Sequence, residues 1–192
     1  MTADVTYASY LDLGRILAAQ HPASEAHDEM LFIIVHQASE LWLKLCLHEL
    51  AAARACIEAD DLRPAFKMLA RVARAQQQLI QSWDVLSTMT PHDYSAIRPH
   101  LGPSSGFQSA QYRMMEFMLG GRDGKHVRLH TSNADWAERL EAEASRASLY
   151  DAPAGGSPRR RGWRGTLRPR AARPSRRSTC GAGRASRRAR RA

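Results

Sequence analysis

Apolar residues along the first 150 positions recur with a helical period. Leu, Ala, Glu, Gln and Arg dominate, and the alternation of a half-buried strand is scarce. The pattern predicts a first helix from Leu11 to Gln20, stopped before Pro22. A second begins near Ser24, carries Glu25, Asp28 and Glu29 at its positive end, and continues to about Ala59. A third starts behind Asp61 as N-cap, with Pro64 in its first turn. Its expected core stripe is Leu62, Phe66, Leu69, Ala73, Ile80 and Trp83, with Met68, Val72, Leu79 and Leu86 beside it.

The stretch "TPHDY" then supplies a helix start, with Thr90 as N-cap, Pro91 at the first helical position and Asp93 as the capping-box acid. Pro99 disfavours helical geometry at Arg98, so this helix is short. The turn "GPSSG" precedes a helix from Phe107 to Leu119, which Gly120 and Gly121 can close, and a last helix is expected from Asn133 to Ser148. Two long antiparallel helices with shorter ones around them predict an all-α helical bundle over residues 1–150. No internal repeat is visible.

Composition changes the picture only at the end of the chain. Residues 1–150 hold 14 Lys and Arg against 18 Asp and Glu, a net charge of −4, whereas residues 151–192 hold 14 Arg and one acid, Asp151, a net of +13. Residues 152–192 lack Lys, Asp, Glu, His, Ile, Val, Met, Phe, Tyr, Asn and Gln. A chain of Arg, Ala, Gly, Pro and Ser cannot build a packed core, so this Arg-rich tail is expected to be disordered. It could bind nucleic acid by neutralising phosphates. The same composition is also what a GC-rich coding sequence yields out of frame, and the abrupt break favours that origin, so a nucleic-acid partner is not expected.

Cys46, Cys56 and Cys180 form no CxxC pair and no disulfide framework, and the first two read as small buried or half-buried hydrophobes. The N-terminus has no basic-then-apolar signal pattern, and no uninterrupted apolar run approaches about 18 residues. The expectation is a cytoplasmic protein without a membrane partner.

Chemistry enters through "DEMLFIIVHQASELWLK", residues 28–44, which sets His36 in a nearly continuous apolar run. Phe32 and His36 are four apart and share a helix face, continued by Ser39 and Leu43. An aromatic wall with one imidazole suits an apolar ligand bearing a single N–H or O–H, although a core histidine bonded to a carbonyl explains the same pattern. A second constellation is "HDYSAIRPHLGPSSGFQSAQYR", where Tyr94 and Arg98 are again four apart. A guanidinium fork grips a carboxylate, and a tyrosine hydroxyl can add a bond. Arg98 could equally be a surface residue or pair with Asp93. "GPSSG" could offer hydroxyls and amides to an anion, or be an ordinary turn. Together these segments describe a site for an aromatic amino acid.

The residues of "DEMLFIIVHQASELWLK" followed by "LGPSSGFQSAQYRMMEF" resemble the tryptophan 2,3-dioxygenase family, and the opening "TYASYLDLGRILAAQ" resembles that family's N-terminal segment. The resemblance runs from about Thr6 to Tyr150, weakens between Gly120 and Asn133, and stops at the tail. It implies an all-α, cytoplasmic homotetramer with haem b, whose ferrous iron serves the conversion of L-tryptophan and dioxygen to N-formyl-L-kynurenine in tryptophan catabolism. By the same resemblance, Phe32 packs near substrate and haem, and His36 accepts the indole N–H. Arg98 binds the substrate carboxylate beside Tyr94, Ser105 and Gly106 line the haem, and Trp83 stands at its edge. Tyr7 and Tyr10 match tyrosines that reach a neighbouring subunit's pocket.

In the resembled family a proximal histidine on a helix well downstream holds the iron, in a segment these 192 residues do not contain. His126 and His130 have i, i+4 spacing but match the family poorly, and His92 and His100 lie on the substrate segment. The expected site is therefore the distal half of a haem pocket with no metal ligand assigned, which puts the activity of this chain alone in question. Two other functions fit parts of the sequence: a haem-free helical binder of aromatic amino acids, and a nucleic-acid binder acting through the tail.

Overall fold

A computed structural model of the protein describes residues 5–121 and 133–151, without the side chain of Phe107. Every regular element among the described residues is helical: α1 (Tyr7–Tyr10), α2 (Leu13–Ile16), α3 (Glu29–Glu58), α4 (Leu62–Leu86), α5 (Pro91–Ile97), a 3-10 turn (Arg98–Leu101), a second 3-10 turn (Gly106–Gln108), α6 (Ala110–Met118) and α7 (Ala134–Ser145). The all-α reading holds. The tail beyond residue 151 and the pair His126 and His130 lie outside the described residues.

Helix α3 and α4 form the antiparallel hairpin on which the rest is hung. Only residues 59–61 join them, and Arg71 Nη1 donates to Glu49 Oε1 at 3.0 Å across the pair. Asp61 takes the N-cap position expected of it, without a side-chain cap bond. Helix α6 packs on α3 and α7 on α6. Leu43, Cys46 and Leu50 of α3 meet Val72 and Ala75 of α4, Phe117 of α6 and Leu140 of α7 in one core. Cys46 is fully buried and burial pushes its thiol pKa up, while Cys56 is half-buried, so both behave as small apolar residues. The core gathers around the C-terminal half of α3.

Three expectations fail for local reasons. The first helix is two single turns, because Asp12 stands in the left-handed region (φ 51°) between them and Thr6 caps a turn that begins earlier. The second helix begins at Glu29 rather than Ser24, because Ala23 and Ser24 donate to the Glu29 carboxylate and hold that stretch as a loop. Arg98 does adopt helical angles (φ −50°, ψ −42°), and the chain tightens there into a 3-10 turn that carries Pro99.

The fourth correction is the buried face of α4. Phe66, Ile80 and Trp83, placed in the core stripe, are 65, 68 and 67% exposed, and Ala73 is exposed too. Ala65, Val72 and Ala75 are buried instead, with Leu69 and Leu79 partly so. The face of α4 turned to α3 is thus the one that carries Ala65, Val72 and Ala75, and the large side chains of the expected stripe stand outward.

By length and composition, α3 is also apolar enough to cross a membrane, although charged residues interrupt every long apolar run in it. Met30, Ile34, Leu41 and Trp42 in its first half, and Leu45 just beyond, are exposed.

Candidate functional site

The site grows from one face of α3 near its N-terminus. Glu29, Phe32 and His36 fall at i, i+3 and i+7, so the helix stacks them along one side. The Phe32 and His36 rings lie 4.2 Å apart between centroids, tilted by 37°. His36 Nδ1 is 2.7 Å from the Phe32 carbonyl oxygen. A carbonyl only accepts, so in the neutral ring Nδ1 is the nitrogen that carries the proton and Nε2 the one that keeps a lone pair. His36 is half-buried rather than a core residue. The bond to a backbone carbonyl is the one a structural histidine makes, but here it also prepares an acceptor beside an aromatic wall.

Helix α5 brings the second constellation to the same place. The Thr90 hydroxyl accepts from the Asp93 amide, and the Asp93 carboxylate accepts from the Thr90 amide at 2.9 Å and from its hydroxyl. These bonds hold the Asp93 carboxyl below the usual carboxylate range, the Thr90 hydroxyl first and its amide second. Both bonds to the carboxylate fall on Asp93 Oδ2, and the bond that Arg98 makes is to the Gly102 carbonyl instead. Tyr94, in the first turn of α5, puts its ring 6.2 Å from Phe32. One turn on, Arg98 is exposed and donates from Nη1 to the Gly102 carbonyl at 2.8 Å, using one of its five N–H donors. Gly102 itself sits at φ 56°, ψ −135°, a conformation that requires glycine.

The "GPSSG" segment behaves as a turn. Ser104 donates its amide to Leu101 O, and Ser105 donates its amide to Gln108 Oε1 at 3.3 Å, so these two N–H groups are already engaged. Ser109 then caps α6 through the Tyr112 amide, and Gly120 (φ 99°) ends that helix. Gln111 Nε2 donates to both the carbonyl and the carboxylate of Glu40, fixing α6 across α3.

The structure thus joins Phe32, His36 and Tyr94, with Arg98 one turn further along. It does not bring Tyr7 or Tyr10 into that contact; both rings sit on α1, 77 and 78% exposed. The residues expected around a haem stand open to solvent. Trp83 is two-thirds exposed, and Ser105 and Gly106 are exposed. Among the described residues no group of three or more His, Cys, Asp or Glu could hold a metal ion.

Sequence reasoning missed Glu29 as part of this site. It read the residue only as a negative charge at a helix start. The structure buries it, with Oε1 accepting from the Ala23 amide at 2.8 Å and Oε2 from the Ser24 amide at 2.7 Å and from the Ser24 hydroxyl. The Ser24 hydroxyl foremost, then the Ala23 and Ser24 amides and the nearby His100, hold its carboxyl below the usual carboxylate range against a desolvation that raises it. The i, i+3, i+7 register with Phe32 and His36 was the available signal.

A model of the tryptophan 2,3-dioxygenase family matches residues 1–155. The tryptophan 2,3-dioxygenase of Erythrobacter litoralis is 76% identical over 151 residues, covering 79% of this chain and 57% of that protein. The enzyme of the same name from Ralstonia pickettii is 56% identical over 147 residues (77% of this chain, 53% of the relative), as is that of Pseudomonas fluorescens (77% and 52%). The chain therefore spans about half the length of the curated relatives it matches.

Proposed function

The chain belongs to the tryptophan 2,3-dioxygenase family, and from that premise we propose that the Phe32–His36 face binds L-tryptophan for oxidation by dioxygen to N-formyl-L-kynurenine. The observation that carries the reading is the His36 Nδ1 contact with the Phe32 carbonyl, which leaves Nε2 as an acceptor next to an aromatic ring. An indole presents one N–H on an apolar bicycle, and this pair answers both features. Phe32 and Tyr94 give the ring apolar surface, and Arg98 gives the α-carboxylate a charged donor.

Haem b, when bound, supplies the redox chemistry on dioxygen. This chain's own residues bind and orient the indole and keep its N–H hydrogen-bonded in a partly dry place. The proposal includes a cytoplasmic homotetramer. Its support is the exposed apolar side of α4 at Phe66, Ile80 and Trp83 and the exposure of Tyr7 and Tyr10, which suits reaching into a neighbouring subunit.

The test is calorimetric titration of the protein with L-tryptophan, N1-methyl-tryptophan and tryptamine, with and without added hemin. The reading expects L-tryptophan to bind most tightly, with about a tenfold loss for each analogue, the size of one good hydrogen bond. Equal affinity for all three overturns it. Tryptophan binding that hemin leaves unchanged, with no haem uptake, would instead mark a haem-free binder of aromatic amino acids.

A further inference from the structure

Glu29 and Gln37 lie eight residues apart on α3, so the helix rise separates them by about 12 Å. Between them runs the loop that precedes α3. Gln37 Nε2 donates to the Ala19 carbonyl at 2.9 Å, and Gln37 Oε1 accepts from Gln20 Nε2 at 2.6 Å. At the other end the Glu29 carboxylate accepts from Ala23 and Ser24. Four extended steps from Ala19 to Ala23 cover roughly 13 Å, which matches the spacing of the anchors. The loop is therefore laid along the Glu29–Ile33–Gln37 stripe, directly beside the Phe32–His36 stripe. His36 lies between this strap and the side of α3 that Tyr94 approaches through Phe32. Glu29 is the corner, since it holds the strap and has His100 of the following 3-10 turn near enough to act on its charge.

We propose that Glu29 and Gln37 are positioning residues of the ligand site: they strap the 19–24 segment along α3 as a wall beside His36, and so set the width of the slot between that segment and Tyr94. The inference rests on the tryptophan-binding reading for its ligand, but not for its geometry. Neither residue touches the indole; each acts through the backbone it holds. The three bonds from residues 23 and 24 explain why a carboxylate is buried at a place where the first half of α3 is otherwise little covered.

The experiment uses the 192-residue protein with Glu29→Gln, Glu29→Ala and Gln37→Leu, read by nuclear magnetic resonance and by tryptophan titration. Four quantities are followed: amide exchange at Ala23 and Ser24, the His36 ring signals, the Phe32–Tyr94 ring contact, and amide exchange at Leu50 and Val72 in the core. Glu29→Ala is expected to speed exchange at Ala23 and Ser24 by about tenfold or more. It should also move the His36 ring signals and weaken tryptophan about tenfold while the core amides stay protected. Glu29→Gln, which keeps one acceptor oxygen, should fall between. Gln37→Leu should shift the same His36 signals from the opposite end of the strap, and it gives the decision if Glu29→Ala also exposes the core. Unmoved His36 signals and an intact Phe32–Tyr94 contact, with the strap amides released, would overturn the proposal. A wild-type chain that binds no tryptophan counts against the proposed function alone, because the ring and exchange measurements still decide the strap.

Discussion

His36 Nδ1 stands 2.7 Å from the carbonyl oxygen of Phe32, one helical turn earlier. Because the carbonyl cannot donate, the contact selects the Nδ1-protonated ring and assigns Nε2 the acceptor's part. His36→Ala should therefore weaken L-tryptophan by about 0.5–1.5 kcal/mol, the net value of one hydrogen bond, and leave N1-methyl-tryptophan nearly unaffected. Parallel titrations of both ligands check this; equal losses would return His36 to a purely structural role.

Arg98 is exposed and bonded once, to the Gly102 carbonyl. Arg98→Ala should cost L-tryptophan about tenfold in affinity, at the lower end for a bond to a charged group, because water competes at an exposed site. Tryptamine, which has no carboxylate, should lose little. Arg98→Lys should recover only part of the loss, since an ammonium lacks the planar fork. The ratio of the two ligands' affinities in each variant is the measurement.

Glu29 and Asp93 both have carboxyl pKa values lowered by the donors around them, the Ser24 hydroxyl and the Thr90 hydroxyl first. A group with a depressed folded pKa contributes stability above its unfolded value, and loses it as pH falls through the folded one. The strap and the start of α5 should therefore hold from neutral pH down to the ordinary carboxylate range and loosen below it. Amide exchange at Ala23, Ser24 and Asp93 followed downward from pH 6 reads this directly. In Glu29→Gln the pH dependence at Ala23 and Ser24 should flatten, while that at Asp93 persists.

Arg54 of α3 and Glu143 of α7 form a buried ion pair, 3 and 11% exposed, with Arg54 Nη1 donating to Glu143 Oε2 at 3.1 Å and Arg54 Nε lacking a partner. Glu143→Ala leaves a buried guanidinium unpaired and should destabilise the chain by about 3–5 kcal/mol. Replacing both residues by apolar ones of similar volume, Arg54→Met with Glu143→Leu, should cost far less, because no buried charge is then left alone. Urea unfolding of the single and double variants separates the two cases.

Local chemistry by itself determined much of this protein. The helical period, the Thr90–Asp93 capping box and the glycine that ends α6 were legible, because each depends on residues within one turn of one another. Phe32 with His36 was legible for the same reason, a spacing of four on one helix. Tertiary structure decided what spacing cannot reach. Helix α4 carries apolar residues around more than one side, so only its packing partner chose Ala65, Val72 and Ala75 over Phe66, Ile80 and Trp83. The Ser24 and Ala23 donors stopped α3 from starting early by binding Glu29, a competition between a helix turn and a buried carboxylate that periodicity does not encode. The meeting of Tyr94 with Phe32, 62 residues apart in the chain, followed from the α3–α4 hairpin returning α5 to the start of α3. Sequence fixes which faces are apolar; burial of one face against another, a long-range and nearly non-directional force, fixes which of them meet.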